Sequence, residues 1–228
     1  MGARHSFNAI LEELHMDLIK MGSLVEESID KTITALLKQD LQLAWEIIDG
    51  DDAVDDMEKK IEKKCIDIIA RQQPLARDLR SISAALKIIT DMERIADHSS
   101  DIAEITIRIG KQKHIKPLID IPRMAELAKK MVSKAIDAYV HQDVDLAREV
   151  CASDDEADDL FRKIVLELTS LMKNDVTIIE QATDFMFIAK YLERMADHAT
   201  NIGEWVVYNV TGEHEHLTRL LSRGPTNR

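Results

Sequence analysis

Acidic side chains are concentrated in two short segments of the chain, and carboxylates are groups from which proteins build metal sites. Six acids fall within positions 49–58, and five fall within positions 154–159. Carboxylate oxygens are hard ligands that suit Mg²⁺, Mn²⁺, Ca²⁺ or iron. The alternative is a solvated acidic surface, since the positive end of a helix dipole also favours such residues.

Four pairs of acids are spaced four residues apart, which places both carboxylates of a pair on one face of a helix. Like charges at this spacing cost about 0.2–0.5 kcal/mol per pair. A mildly unfavourable arrangement that occurs repeatedly indicates that a cation neutralises it. The pairs are Asp51/Asp55, Glu93/Asp97, Asp154/Asp158 and Glu193/Asp197.

The two halves of the chain repeat one another. Residues 93–98 read ERIADH and residues 193–198 read ERMADH, an offset of 100 positions. At an offset of 103, Gln39-Asp40 matches Gln142-Asp143. The difference of three positions falls between the second and third helix of each half, where a loop can absorb it. The chain is therefore predicted to be a duplicated three-helix unit.

An antiparallel hairpin of the second and third helices brings two acid pairs to one level in each half. In the first half, Asp55 then lies opposite Glu93, and Asp51 lies opposite Asp97. The corresponding pairs of the second half align in the same way, and both hairpins turn where a loop is predicted. We therefore predict two metal sites, one per repeat, each with four carboxylates.

The third and sixth helices carry further polar residues near these acids. Four of them could add ligands or orient the first ones: Asp101, Glu104, Asn201 and Glu204. His98 and His198 directly follow the acids but lie about 100° around the helix from them. We expect these two histidines at the surface or in contacts between helices.

Hydrophobic periodicity places these residues on long helices. Apolar residues recur every three or four positions over about 6–39, 41–71, 75–109, 123–141, 144–172 and 177–210. With 4% aromatic residues, an all-β fold is unsupported. We predict an all-α fold of two tandem three-helix bundles with long antiparallel helices, packed end to end or side by side into an elongated molecule. The bundles would span residues 1–115 and 116–212, followed by a polar tail at 213–228.

Apolar residues on the third and sixth helices suggest what these helices pack against. On the third helix, the predicted core face lies opposite the acids and carries Ile88, Met92, Ile95 and Ile102. Near the end of the sixth helix, a second apolar group could form a dimer contact or cap the bundle. This group consists of Trp205, Val206 and Tyr208.

Composition restricts the cellular compartment and the classes of partner that the sequence supports. The chain has 30 basic and 42 acidic residues, a net charge of −12. This balance disfavours a nucleic-acid partner, since that surface needs Lys and Arg to offset phosphate charge. No apolar run of about 18 residues and no signal-peptide core is present, so we expect a cytoplasmic protein. Cys65 and Cys151 lie in helical patterns and are expected to be buried thiols.

Four segments of the chain resemble the PhoU family, and they follow that family's order. They read MGSLVEESI, GDDAVDDMEKKIEKKCIDIIARQQPLARDLR, DMERIADHSSDIAE and YLERMADHATNIGEWVVY. The resemblance covers about residues 6–212 and implies two three-helix bundles with E/D-xxx-D metal-binding motifs, here the four acid pairs. The expected cofactors are divalent or trivalent ions such as Mg, Mn, Fe or Zn. The family's Asn after the second motif is Asn201, and the first motif has Asp101 in that place.

The same resemblance implies a cytoplasmic regulator of phosphate uptake that represses phosphate-starvation signalling when phosphate is plentiful. Its expected partners are the ATPase of a phosphate ABC transporter and a PhoR-type sensor histidine kinase. Peripheral association with the membrane through these partners and a homodimer are also expected.

Two alternatives to a regulator are a purely structural adaptor and a metal-dependent enzyme, such as a di-metal carboxylate oxidase or a phosphatase. Di-iron bundle enzymes use inward Glu-x-x-His motifs, which the repeated acids lack. The chain also has no Gly-rich phosphate loop and no nucleophile elbow. We therefore expect a protein that is not an enzyme.

Overall fold

The regular structure in the described part of the chain is helical, as predicted. The computed structural model describes the backbone of residues 2–213 and the side chains from residue 7 onward, so the predicted tail lies outside the described residues from position 214. The first bundle contains α1 (Gly2–Lys38), α2 (Leu41–Gly50), α3 (Asp52–Gln72) and α4 (Ala76–Ile109). The second contains α5 (Asp120–His141), α6 (Val144–Asn174) and α7 (Ile179–Thr211), with a 3₁₀ turn at Val176–Ile178.

The predicted second helix is interrupted, and its two parts are α2 and α3. At the interruption Asp51 keeps helical angles, φ −61° and ψ −38°, but its N–H donates to the carbonyl of Ile48 three residues back, at 3.4 Å. Gly50 precedes this point, and a glycine inside a helix costs about 1 kcal/mol relative to alanine. In the second bundle Ser153 takes its place, and α6 runs unbroken.

The repeated Gln-Asp dipeptides form the turn that leads into the second helical stretch of each bundle. Gln39 and Gln142 adopt left-handed backbone angles, with φ of 52° and 54°. Asp40 then caps α2 by accepting a hydrogen bond from the N–H of Leu43 at 3.1 Å. Asp143 caps α6 in the same way, and such a cap contributes about 1 kcal/mol. This part of the repeat therefore encodes local structure.

The two bundles pack side by side along their third helices. The helix α4 packs against α7, and α1 packs against α5, so that one hydrophobic core runs through both bundles. The predicted core face of α4 is confirmed, since its side chains are fully buried: Ile88, Met92, Ile95 and Ile102. Ala96 and Ala103 of α4 are buried as well, and Ala103 packs in a smaller cluster with Ala44 and Ile47 of α2.

Both cysteines are buried, unpaired thiols, as expected. Burial raises the pKa of Cys65 and of Cys151 to about 12. A thiol with such a pKa stays protonated near neutral pH and is a poor nucleophile and a poor metal ligand.

None of the helices in the described range has an apolar stretch long enough to cross a bilayer.

Candidate metal centre

The first group of four acids, here called the first quartet, lies between α3 and α4. Asp51 lies at the interruption between α2 and α3, Asp55 lies in the first turn of α3, and Glu93 and Asp97 come from the middle of α4. Burial and the nearby charges of Asp97 and Asp55 raise the pKa of Asp51. Burial and the charges of Asp97, Glu58 and Asp55 outweigh Arg94 and raise the pKa of Glu93. The charges that act across the two helices, Asp97 on Asp51 and Asp55 on Glu93, belong to the residues that the hairpin geometry predicts to lie opposite each other.

The second quartet repeats this arrangement between α6 and α7. Burial, followed by the charges of Asp197 and Asp158, raises the pKa of Asp154 to about 6. Partial burial and the charges of Glu193 and Asp158 raise the pKa of Asp197. In both bundles, the predicted site residues are brought together into one electrostatically coupled group.

The carboxylates are near one another but do not form a finished coordination shell. Within residues 7–213, no three His, Cys, Asp or Glu side chains are arranged to hold a metal ion. Repulsion between like charges keeps ionised carboxylates apart, so a cation would have to draw them together by side-chain rotation. Metal binding at the two quartets stays a prediction.

Three oxygen atoms at the quartets are buried and lack a hydrogen-bond partner among the described atoms. They are Glu93 Oε2, Ser100 Oγ and Thr200 Oγ1. The two hydroxyls occupy equivalent positions in the repeat and offset part of the pKa rise at Asp51 and Asp154, yet neither forms a hydrogen bond of good geometry. Glu93 Oε2 already has a cationic neighbour in Arg94. Because buried polar atoms are nearly always paired, the two hydroxyl oxygens fit a site that receives a cation or its bound water.

Basic side chains neutralise the two quartets to different extents. Arg94 contacts two members of the first quartet, with Nη1 2.9 Å from Asp97 Oδ2 and Nε 3.4 Å from Glu93 Oε2. Lys59 Nζ lies 3.6 Å from Asp55 Oδ2. In the second quartet, Glu193 pairs with Lys190.

Two of the four additional candidate ligands, Asp101 and Asn201, have hydrogen-bond partners outside the quartets. Asp101 Oδ2 lies 3.2 Å from His98 Nδ1, and Asn201 donates to Asp91 on α4 at 3.2 Å. Glu104 lies near Tyr191, and Glu204 lies near Cys151. These side chains belong to the neighbourhood of the quartets, and a ligand role for them stays a prediction.

His98 and His198 form contacts between helices, one of the two possibilities expected. His198 Nδ1 lies 2.8 Å from Asp91 Oδ1, which joins α7 to α4. The two imidazole rings also meet across this interface, tilted by 39° with 5.7 Å between their centroids.

The apolar group at the end of α7 packs within the monomer. Val206 is fully buried, and the Trp205 ring meets the Tyr208 ring edge to face at 5.9 Å. Lys87 Nζ lies 5.9 Å from the Trp205 ring centroid. Val206 thus belongs to the core, whereas Trp205 and Tyr208 are half-buried, and a dimer contact at these two rings stays a prediction.

Sequence reasoning missed the two hydroxyl residues at the quartets. Ser100 and Thr200 each stand three positions after the aspartate of the repeated ADH motif. Their identical offset was the available signal, but Ser and Thr are common on helices, so composition did not mark them out.

Comparison with known proteins gives matches along nearly the whole chain. A family model described as the PhoU domain matches residues 18–106 and 121–206, one segment in each bundle. A protein of Clostridium acetobutylicum named phosphate-specific transport system accessory protein PhoU homolog is 44% identical over 215 residues, covering 94% of this chain and 98% of that protein. The Escherichia coli K12 protein named phosphate-specific transport system accessory protein PhoU is 33% identical over 222 residues, covering 95% and 92%.

Two solved structures share the fold. The crystal structure of PhoU from Pseudomonas aeruginosa has a TM-score of 0.87 and 35% identity, covering 91% of this chain and all of that one. The phosphate transport system regulatory protein PhoU from Streptococcus pneumoniae has a TM-score of 0.86 and 28% identity, covering 92% and 99%.

Proposed function

Since the chain belongs to the PhoU family, we propose that it is a metal-binding regulatory protein of phosphate uptake. It acts in the cytoplasm by contact with the ATPase of a phosphate ABC transporter and with a PhoR-type sensor histidine kinase. Through these contacts it represses the phosphate-starvation response when phosphate is plentiful. The names of its relatives, accessory and regulatory proteins of phosphate transport, support this role.

One observation supports the metal-binding part of this proposal above the others. In each of two hairpins, carboxylates of the quartet act on one another across the helix pair, and burial and mutual repulsion raise pKa values in both quartets. A divalent or trivalent cation would relieve that repulsion and bridge α3 to α4 and α6 to α7. Asp51, Asp55, Glu93 and Asp97 would hold metal in the first bundle, and Asp154, Asp158, Glu193 and Asp197 would hold it in the second.

Bound cations would also change what a partner meets on this surface. The carboxylates lie on one ridge of α4 and one of α7, and these helices pack against each other. A cation lowers the local negative charge and can reverse its sign. The metal is thus proposed to set helix positions and surface charge for protein contact, and the protein is proposed to catalyse no reaction and to form a homodimer.

A complementation experiment tests the regulatory role. A strain that lacks its own PhoU-family protein and carries a phosphate-starvation reporter is given the wild-type chain or a variant. We expect the wild type to restore repression in phosphate-rich medium, and the double variant Glu93→Gln/Glu193→Gln to restore it poorly. The matched control is Asp52→Asn/Asp155→Asn, which neutralises two exposed acids at equivalent repeat positions outside the quartets. If both variants fail to restore repression of the reporter, the effect comes from the negative charge of the surface as a whole and is not specific to the quartets.

A second experiment tests the partners and the absence of catalysis. We expect the tagged transporter ATPase to retain this chain from membranes of phosphate-rich cells, and the sensor kinase to do so separately. Protein loaded with Mn²⁺ or iron is assayed with a phosphomonoester and for oxidase activity, and we expect no turnover above that of the Glu93→Gln/Glu193→Gln variant. Turnover that depends on these glutamates would favour the enzyme alternative. Analytical ultracentrifugation measures the proposed dimer.

A further inference from the structure

The internal repeat invites a comparison of the two quartets, and their helices differ. In the first quartet, Asp51 lies at the interruption between α2 and α3, where the helical hydrogen bonding is disturbed. Its counterpart Asp154 lies within the unbroken helix α6. A continuous helix holds the spacing of Asp154 and Asp158 with regular hydrogen bonds. The second quartet is therefore the more rigidly positioned of the two.

The inner end of each quartet is the end at Asp51 or Asp154, and it is more deeply buried in the second quartet than in the first. The Asp154 residue is 8% exposed and Asp51 is only half-buried. Asp158 and Asp197 are exposed, whereas their counterparts Asp55 and Asp97 are half-buried, so the greater burial of the second quartet is confined to its inner end. A carboxylate in a poorly hydrated position gains more from a cation than one that water already solvates, because Coulomb interactions strengthen as the local dielectric constant falls.

The Thr200 hydroxyl gives an independent sign of a ligand at this inner end. Thr200 is 4% exposed, and its Oγ1 lies near enough to the Asp154 carboxyl to offset part of the rise in its pKa, but it forms no hydrogen bond of good geometry with Asp154 or with another described atom. A buried hydroxyl without a well-formed hydrogen bond is energetically unfavourable. A cation, or a water molecule on that cation, would supply the missing partner. Its counterpart Ser100 is less buried.

Competition from internal cations is weaker in the second quartet. In the first quartet, Arg94 contacts both Glu93 and Asp97, and Lys59 contacts Asp55. A metal ion must displace these groups before it can use their carboxylates. In the second quartet the ion pair formed within the described residues is that of Glu193 with Lys190.

We propose that the two quartets are unequal metal sites and that the second, with Asp154 and Thr200 at its inner end, binds a divalent cation first and more tightly. This inference rests on the metal-binding role proposed above and adds an order of occupancy. The first quartet then fills only at higher metal concentration, which makes it the quartet whose occupancy varies with metal supply.

Titration of chelator-treated protein with Mn²⁺ alone tests this order. Calorimetry counts the binding phases, and electron paramagnetic resonance measures free Mn²⁺. We expect two phases for the wild type. Glu193→Gln should remove the tighter phase and leave the weaker one, and the matched variant Glu93→Gln should do the reverse.

The hydroxyl is tested by a second matched pair. Thr200→Val should weaken the tighter phase by about tenfold, as is typical of residues that support a metal ligand. Ser100→Ala should leave the tighter phase unchanged. Circular dichroism and thermal unfolding of the chelator-treated variants establish that each is folded, and Asp154→Asn replaces Glu193→Gln if that variant is not.

The possible results separate this inference from the one on which it rests. Absence of Mn²⁺ binding to the wild type would overturn the metal-binding role and the order together. A single phase to which both quartets contribute equally, or a tighter phase that Glu93→Gln removes, would overturn only the order. If Thr200→Val binds Mn²⁺ in the tighter phase as the wild type does, the Thr200 hydroxyl has no part in metal binding.

Discussion

The carboxylate of Asp91 on α4 accepts a hydrogen bond from His198 on α7, with 2.8 Å between Oδ1 and Nδ1. The same oxygen accepts a hydrogen bond from Asn201 at 3.2 Å. One side chain of the first bundle thus binds two side chains of the second, one residue and four residues after Asp197. This contact couples the position of the second quartet to the packing of the bundles.

Loss of this contact should destabilise the whole protein, because the bundles share one core. We expect Asp91→Ala to lower the free energy of unfolding by about 1–3 kcal/mol, since the half-buried His198 loses a charged acceptor and the exposed Asn201 loses a weaker contact. Glu27→Ala, which removes an exposed acid paired with Lys31 on one helix face, should change it by less than about 0.5 kcal/mol. Urea unfolding followed by circular dichroism measures both. Equal effects would mean that Asp91 acts only as a surface charge.

Metal should stabilise the fold through the quartets. The double variant Glu93→Gln/Glu193→Gln is expected to lower the midpoint of thermal unfolding in Mn²⁺-containing buffer much more than in chelating buffer. Binding to the folded state alone adds stability by mass action, about 2.7 kcal/mol at a hundredfold excess of ligand over Kd. Differential scanning calorimetry in the two buffers gives the comparison. An equal loss in both buffers would show that the glutamates stabilise the fold without metal.

The negative charge of Asp154 should lower the free energy of unfolding in the absence of metal and raise it when metal is bound. Its pKa of about 6 in the folded state lies above the ordinary value of 3.8, so the ionised form destabilises the fold above about pH 6, and the penalty is relieved as pH falls toward 3.8. In chelating buffer, Asp154→Asn should raise the free energy of unfolding by about 1–3 kcal/mol near pH 7.5 and by less near pH 5. With Mn²⁺ present the same variant should lower it.

The control for this charge effect is the neighbouring Asp155→Asn, an exposed acid. We expect it to change the unfolding free energy by less than about 0.5 kcal/mol in either buffer. Urea unfolding at the two pH values measures both variants. A pH-independent change in Asp154→Asn would trace its effect to packing.

Much of the site could be predicted because a helical repeat converts spacing into position. The four acid pairs share a helix face at their i,i+4 spacing, and hairpin turns near Pro74 and Asp175 set the levels of both pairs. Helix spacing does not predict the structure of the tail or the identity of a bound metal. The packing of α4 on α7 was also left open between two arrangements, because a stripe such as Ile88, Met92 and Ile95 marks one buried face and does not say what covers the next.

The interruption at Asp51 was missed for a different reason. Hydrophobic periodicity continues through residues 41–71, and the cost of one glycine, about 1 kcal/mol, is small enough for packing to decide whether a helix bends. Ser153 stands at the position equivalent to Gly50, and this is the sequence difference between the halves at the interruption. A single exchange of Gly for Ser is too weak a signal to predict that one helix is interrupted and the other is not.

Addition of a single methyl group at residue 50 should stabilise the helix at the interruption. Space is open at Gly50, where an added Cβ meets no atom within 4 Å, and its φ is not positive. We expect Gly50→Ala to raise the free energy of unfolding by about 0.5–1 kcal/mol, the gain in helix propensity, and to tighten Mn²⁺ binding at the first quartet by holding Asp51 and Asp55 at regular helical spacing. Hydrogen exchange at residues 48–55 should slow in the variant.

The matched change in the second bundle is Ser153→Gly, which places glycine at the corresponding position of α6. Ser153 is partly exposed and donates only to the carbonyl of Glu149 at 2.9 Å, so its side chain is dispensable for packing. We expect faster exchange around Asp154 and weaker Mn²⁺ binding at the second quartet. If Gly50→Ala leaves the first quartet unchanged while Ser153→Gly weakens the second, helix continuity matters only where the carboxylate is buried. If neither variant alters Mn²⁺ binding, helix continuity has no part in the difference between the quartets.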